Sequence, residues 1–159
     1  MITPVLFYRD PMAAIRFLEK AFGFEVAMLL IDDQGRLGHS ELRYGDDAIS
    51  VGGEWESADL LGPAKMRSPA SLDGAGTQFL RIVVVEPIDE HHERACATGA
   101  TITQAPEDQF YGDRTYRALD PEGHVWNFQQ KVREVSISEM ESASGLKAST
   151  SLPAEGIGA

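Results

Sequence analysis

The sequence predicts an α+β fold made of two βαβββ modules, and three observations predict it. The first is a hairpin signature in YGDRTYRALDPEGHVWNFQQ, residues 111–130. Within it, Asp120-Pro121-Glu122-Gly123 forces a reversal, because proline presets φ at the first corner and glycine accepts the positive φ that ends a turn. The second is a pair of helix signals, Asp10-Pro11 answered by Gly23 and Glu86-Pro87 answered by Gly99. The third is that these pairs superpose at one offset, 86 − 10 = 76, which also carries Tyr44 onto Asp120 and Ala48 onto His124. Repetition at fixed spacing marks units whose sheet faces cannot be buried singly.

Each element follows from local chemistry. Ile2 to Tyr8 is strand-forming and ends at Asp10-Pro11, where aspartate accepts from free first-turn amides and proline suits the first helical position. Ile15, Leu18 and Phe22 then form one apolar face, and Gly23 supplies the left-handed stop. Phe24–Ile31, Arg36–Tyr44 and Ala48–Val51 complete the first module as three strands, separated by Asp33-Gln34-Gly35 and Gly45-Asp46-Asp47. Residues 53–77 lack periodicity and carry four glycines and two prolines, so they read as a linker with a helical turn near residues 57–61. A connection of this length also suits a pocket cover. The second module repeats the pattern with strand Phe79–Val85, a helix capped by Glu86-Pro87, strand Ala100–Gln104 and the hairpin. The expected organisation is residues 1–52 as first module, 53–77 as linker, 78–131 as second module and 132–159 as a flexible tail, which buries too little to offset its chain entropy.

A hydrophobic content of 43% is enough for a packed core. A net charge of −11 and a pI near 4.7 exclude a nucleic-acid or anionic-membrane surface, both of which need clustered cations. One cysteine, Cys96, excludes an intramolecular disulfide and any CxxC motif; at helical spacing from Ile88 and His92 it reads as a packing residue. His91 and His92, set among Asp89, Glu90 and Glu93, read as solvated. Without a leader-like segment or a run of about 18 apolar residues, the expectation is a soluble cytoplasmic protein.

FYRDPMAAIRFLEKAFGFE in the first module, GHSELRYGD in its hairpin, and YGDR-Y followed by DPEGHVWNF in the second are similar to the vicinal oxygen chelate superfamily, the glyoxalase, bleomycin-resistance and extradiol dioxygenase group. The resemblance covers about residues 2–130. It implies sheets curled around a cavity between paired modules, a small-molecule ligand and a homodimer. Metal-dependent relatives use a histidine or glutamine early in each first strand and a glutamate in each last strand. Those positions fall at or beside Thr3, at Ser50 or Val51, at Phe79 or Leu80, and at Asn127. None is a strong ligand for a divalent transition metal, so the expectation is a cofactor-free binder of the bleomycin-resistance type.

Strand alternation selects the cavity residues. Ser40 and Leu42 belong to the face expected to cover the helix, which leaves His39 and Glu41 inward; the 76-residue offset carries these to Thr115 and Arg117. Arg81 in the second module's first strand and Asn127 in its last complete the candidate ligand-binding set. Glu41, Arg81 and Arg117 are expected to share one enclosed space, pairing with each other or with a charged ligand. The alternative is a glyoxalase-type lyase or isomerase holding one divalent metal ion at a relocated site built from His39, Glu41 and His124.

Overall fold

The computed structural model describes residues 2–152. Its elements are β1 (Val5–Tyr8), α1 (Pro11–Phe17) running into a π-turn at Leu18–Phe22, β2 (Glu25–Ile31), β3 (Leu37–Tyr44), β4 (Asp47–Gly53), the short α2 (Ala58–Leu61), β5 (Phe79–Val83), α3 (Ile88–Thr98), β6 (Thr101–Asp108), β7 (Asp113–Leu119), β8 (Val125–Lys131) and α4 (Ile137–Ser144). They form two four-stranded sheets, ordered β1-β4-β3-β2 and β5-β8-β7-β6. In each, the first strand lies parallel to the last and the other pairs are antiparallel. The duplication predicted from the 76-residue offset is thus a duplication of topology.

Local signals act as predicted at the first helix. The Asp10 side chain accepts from the Ala13 amide at 2.9 Å, and Gly23 ends the helix at φ 78°. The second helix differs. Glu86 does not cap it, because both carboxylate oxygens are taken by Arg94 at 2.6 Å; the Gln130 side chain accepts from the Ile88 amide instead. Strand β6 runs four residues past its expected end, through Pro106 and with two register irregularities. As the edge strand of its sheet it tolerates a residue without an amide proton. Within the stretch expected to be a tail, Ser136 and Glu139 form a reciprocal capping box and start α4, which buries none of its residues. The final seven residues of that stretch, 153–159, and Met1 lie outside the described residues.

One core serves both modules. Leu6, Tyr8, Leu42, Ile49 and Val51 from the first sheet meet Leu18, Ala21 and Phe22 from the helix, while Tyr116, Ala118, Trp126 and Phe128 from the second sheet meet α3. Phe22 crosses the boundary, with its ring 5.3 Å from Trp126 and 4.8 Å from Phe128. The space between the modules of one chain is therefore filled, and the other face of each sheet is turned away from this core.

Two polar devices fix this packing. At the turn before β8, Asp120 is buried and accepts four hydrogen bonds: from the Tyr8 hydroxyl at 2.6 Å, the Trp126 indole at 3.1 Å and the Glu122 and His124 amides at 3.0 Å. Glu122 accepts from the Arg9 and Asp10 amides and the Ser68 hydroxyl. Burial pushes the Glu122 carboxyl up, but those donors outweigh it and hold its pKa low. His124 meets the Phe7 carbonyl through Nε2 at 2.9 Å. The second device is His91, expected in solvent but fully buried. The apolar stripe of α3 is Ile88, His91 and Ala95, one position away from the Ile88, His92, Cys96 row suggested by the sequence. Cys96 is accordingly exposed, with its sulfur 3.4 Å from His92. A carbonyl only accepts, so His91 Nε2 donates to Phe22 O at 3.1 Å and Nδ1 receives the Tyr116 hydroxyl at 2.6 Å. The neutral ring is satisfied on both sides.

Tyr8→Phe removes a hydroxyl donor from a buried carboxylate, and urea unfolding is expected to show a loss of about 1.5–3 kcal/mol; a loss under about 0.5 kcal/mol would contradict a structural role for that bond. Burial, with Arg94 adding to it, lowers the His91 pKa to about 4, against the weaker pull of Phe22 O and Glu86. Between about pH 6.5 and 4 the unfolded chain takes up a proton that the folded one refuses, so stability falls with pH across that window, by on the order of 3 kcal/mol in all. Glu86 and Glu122, both held low, act in the same direction only as pH drops through the carboxylate range. His91→Gln is expected to start less stable and to lose most of the slope between pH 6.5 and 4; an unchanged slope would rule out His91 as its source.

Candidate functional site

The outer faces of the sheets are set by the alternation that fills the core. On β3, Ser40, Leu42 and Tyr44 are buried while His39 and Arg43 are exposed and Glu41 is half-buried. On β5, Phe79, Arg81 and Val83 are exposed together. On β8, Trp126 and Phe128 pack inward, so Asn127 between them turns outward.

In the second sheet the register draws four of these side chains into one row. Gln104 is paired with Arg117, Arg117 with Asn127, and Asn127 with Arg81, across β6, β7, β8 and β5. The Arg117 guanidinium carbon lies 6.0 Å from the Phe79 ring centroid, within cation–π range. Arg81 Nε donates to Gln129 Oε1 at 3.2 Å, and the Gln104 amide donates to Thr115 Oγ1 at 3.2 Å. Beneath these longer side chains, Thr115 and Asn127 form a floor only 2% and 6% exposed. Tyr116 fixes β7 from the opposite side through His91.

The six sequence-selected residues divide between two faces. Arg81, Thr115, Arg117 and Asn127 stand together on the second sheet, whereas His39 and Glu41 stand on the first. Glu41 lies 3.7 Å from Arg43 on its own strand, and among the described residues it forms no ion pair with Arg81 or Arg117, which stand on the other sheet. The expected three-way grouping is corrected because the two modules meet through their helix-covered faces. His124 is likewise committed elsewhere, bonded to the Phe7 carbonyl and packed 4.4 Å from Tyr8. Arg114 bonds Asp89 and Asp108 and braces the loop before β7.

The positions at which relatives hold a metal do not suit one here. Thr3 is exposed, Ser50 donates its hydroxyl to the Ser40 carbonyl, Val51 is buried in the core, Phe79 and Leu80 offer no donor atom, and Asn127 offers a neutral amide. Among the described residues no three His, Cys, Asp or Glu side chains form a group able to hold a metal ion.

A separate cleft of about 440 Å³ lies under the linker, lined by Phe7, Met66, Leu72, Gln78 and His124 among others. The linker thus covers a pocket, but none of the six candidates lines it. Its cations Lys65 and Arg67 are already paired with Glu56, at 3.2 and 2.9 Å. The outer face of the second sheet is the stronger candidate, because it gathers four of the six residues and its two guanidiniums have no carboxylate partner among the described residues.

A sequence model of the Glyoxalase/Bleomycin resistance protein/Dioxygenase superfamily matches residues 2–128. The uncharacterized protein Mb0911c of Mycobacterium bovis is 32% identical over 142 residues, spanning 89% of this chain and 90% of its own length. Among solved structures, TioX from Micromonospora sp. ML1 is similar at a TM-score of 0.62 and 29% identity, over 83% of this chain and 100% of that one. FosX of Listeria monocytogenes, a genomically encoded fosfomycin resistance protein, is similar at 0.56 and 16% identity over 87% and 95%, a likeness of fold alone. No described helix is long and apolar enough to cross a membrane. With the duplicated topology and a match over nearly the whole of both modules, the chain belongs to the Glyoxalase/Bleomycin resistance protein/Dioxygenase superfamily.

Proposed function

We propose that this protein is a cytoplasmic homodimer that sequesters a small organic ligand without a metal ion, in a hollow that the outer sheet face of one copy forms with a second copy. The observation that carries this reading is the floor of the second sheet. Thr115 and Asn127 are more than nine-tenths buried on a face otherwise open to solvent, which is the construction of a pocket base. Apolar side chains stand around it and on the equivalent face of the first sheet: Phe79 and Val83 on one, Met28 and Leu30 on the other, each between 40% and 62% exposed. Solvated apolar side chains in such number mark an interaction surface. The missing ligand set supports metal independence, and the exposed Cys96 thiol suits a reducing compartment.

Sedimentation equilibrium is expected to give twice the 17.4 kDa chain mass, and Leu30→Asp with Val83→Asp is expected to give a folded monomer. Protein dialysed against a chelator is expected to retain its melting temperature and to be stabilised by members of a library of small organic compounds. At a hundredfold excess over the dissociation constant the stabilisation is about 2.7 kcal/mol. Stabilisation that appears only after a divalent metal is restored would favour the lyase or isomerase reading over this one.

A further inference from the structure

We infer that the ligand is an organic anion, a carboxylate or phosphonate on an apolar body, with its charged group held over Asn127 between Arg81 and Arg117 and its apolar part against Phe79 and Val83. The inference rests on the ligand-binding reading above and narrows it to a chemical class. It begins with an imbalance of charge. The chain has 25 acidic residues against 14 basic ones, and Arg9, Arg36, Arg43, Arg67, Arg94 and Arg114 each pair with a carboxylate. Among the described residues Arg16, Arg81, Arg117 and Arg133 pair with none; of these Arg81 and Arg117 stand in one row of the second sheet, where their partners are the neutral Gln129 amide and the face of Phe79. In so acidic a protein, two neighbouring guanidiniums left without a counter-charge are a vacancy for one.

The geometry suits a single anionic group. Asn127 is in register with both arginines, so they flank it one strand away on either side, about 10 Å apart along the sheet. Asn127 as a residue is 6% exposed, and the side-chain contacts of this face run between Gln104 and Thr115 and between Arg81 and Gln129, which leaves its amide group free for a ligand. An asparagine amide offers two donors and an acceptor, so it can meet a ligand oxygen between the two guanidiniums. Guanidinium forks match carboxylate and phosphonate oxygens, and Arg117, resting on Phe79, loses less freedom on binding than a free arginine. Phe79 and Val83 follow the same alternation on β5 as Arg81, so an apolar surface adjoins the charged one.

Isothermal calorimetry with benzoate, phenylphosphonate and the neutral benzamide tests this on the intact protein, with amide chemical shifts at Arg81, Arg117 and Asn127 locating the site. At least one of the two anions is expected to bind ten or more times tighter than benzamide, and Arg117→Gln to weaken it about tenfold or more. Asn127→Asp supplies an internal carboxylate between the arginines; it is expected to abolish anion binding while the protein melts no lower than the parent. Benzamide binding as tightly as both anions would overturn the anion assignment and leave the pocket reading intact. Silence of all three probes would overturn the assignment as well, while neutral hits in the compound library would keep the pocket reading alive. Anion binding that appears only in Glu41→Gln protein would show that a second copy's carboxylate already fills the pair, and would equally overturn it.

Discussion

The turn Asp120–His124 holds the two halves of this protein in one arrangement. It carries two carboxylates with opposite duties. Asp120 points into the core and gathers donors from both modules, while Glu122 points outward and gathers the two amides that precede α1. A buried carboxylate is tolerated only when its lone pairs are used, and here four donors use those of Asp120. Because Tyr8 lies in β1 and Trp126 in β8, the carboxylate that terminates the second hairpin also fixes where the first sheet sits. Hydrophobic contact through Phe22 supplies area without direction; the hydrogen bonds at the turn supply the direction.

Much of the fold was legible in the sequence because its punctuation is local. Proline at residue 11 and glycines at 23 and 99 fix helix ends through φ alone, and alternation along β3, β5 and β8 fixes which side chains share a face. Such signals need no knowledge of the partner element. His91 was misplaced because a short helix with acidic residues beside its histidines has two apolar rows one position apart, and only the docked first-module helix decides between them. Glu86 was misread for a similar reason: Arg94, two turns on, competes for the carboxylate that the cap needed. The start of α4 was readable, since Ser136 and Glu139 stand at capping-box spacing, but a search for apolar periodicity passes over a helix that buries nothing.

The candidate site shows the same division. Parity along a strand assigned Arg81, Thr115, Arg117 and Asn127 to the outer face of the second module, and the sheet register then placed the two arginines on either side of the amide. Parity says nothing about which sheet faces which. Joining Glu41 to the arginines required the two outer faces to meet within one chain, whereas Phe22, Phe24, His91 and Trp126 fill the space between the modules. A structure in which apolar packing joins the helix-covered faces leaves both outer faces for association with another molecule.

Strand β8 ties these levels together. Trp126 and Phe128 are fully buried on one side of it, Asn127 turns to the other, and its first residue follows directly from the turn that Asp120 and Glu122 anchor. A one-residue slip would place the indole in solvent and the amide in the core. The same burial that stabilises the core therefore fixes the orientation of the amide between the arginines. The rigidity of the site comes from beneath it, from aromatic packing and from the His91–Tyr116 bond behind β7. On the reading proposed above, a surface so braced fixes the backbone spacing of Arg81, Asn127 and Arg117 in advance, so that ordering their side chains is the main entropic cost of binding.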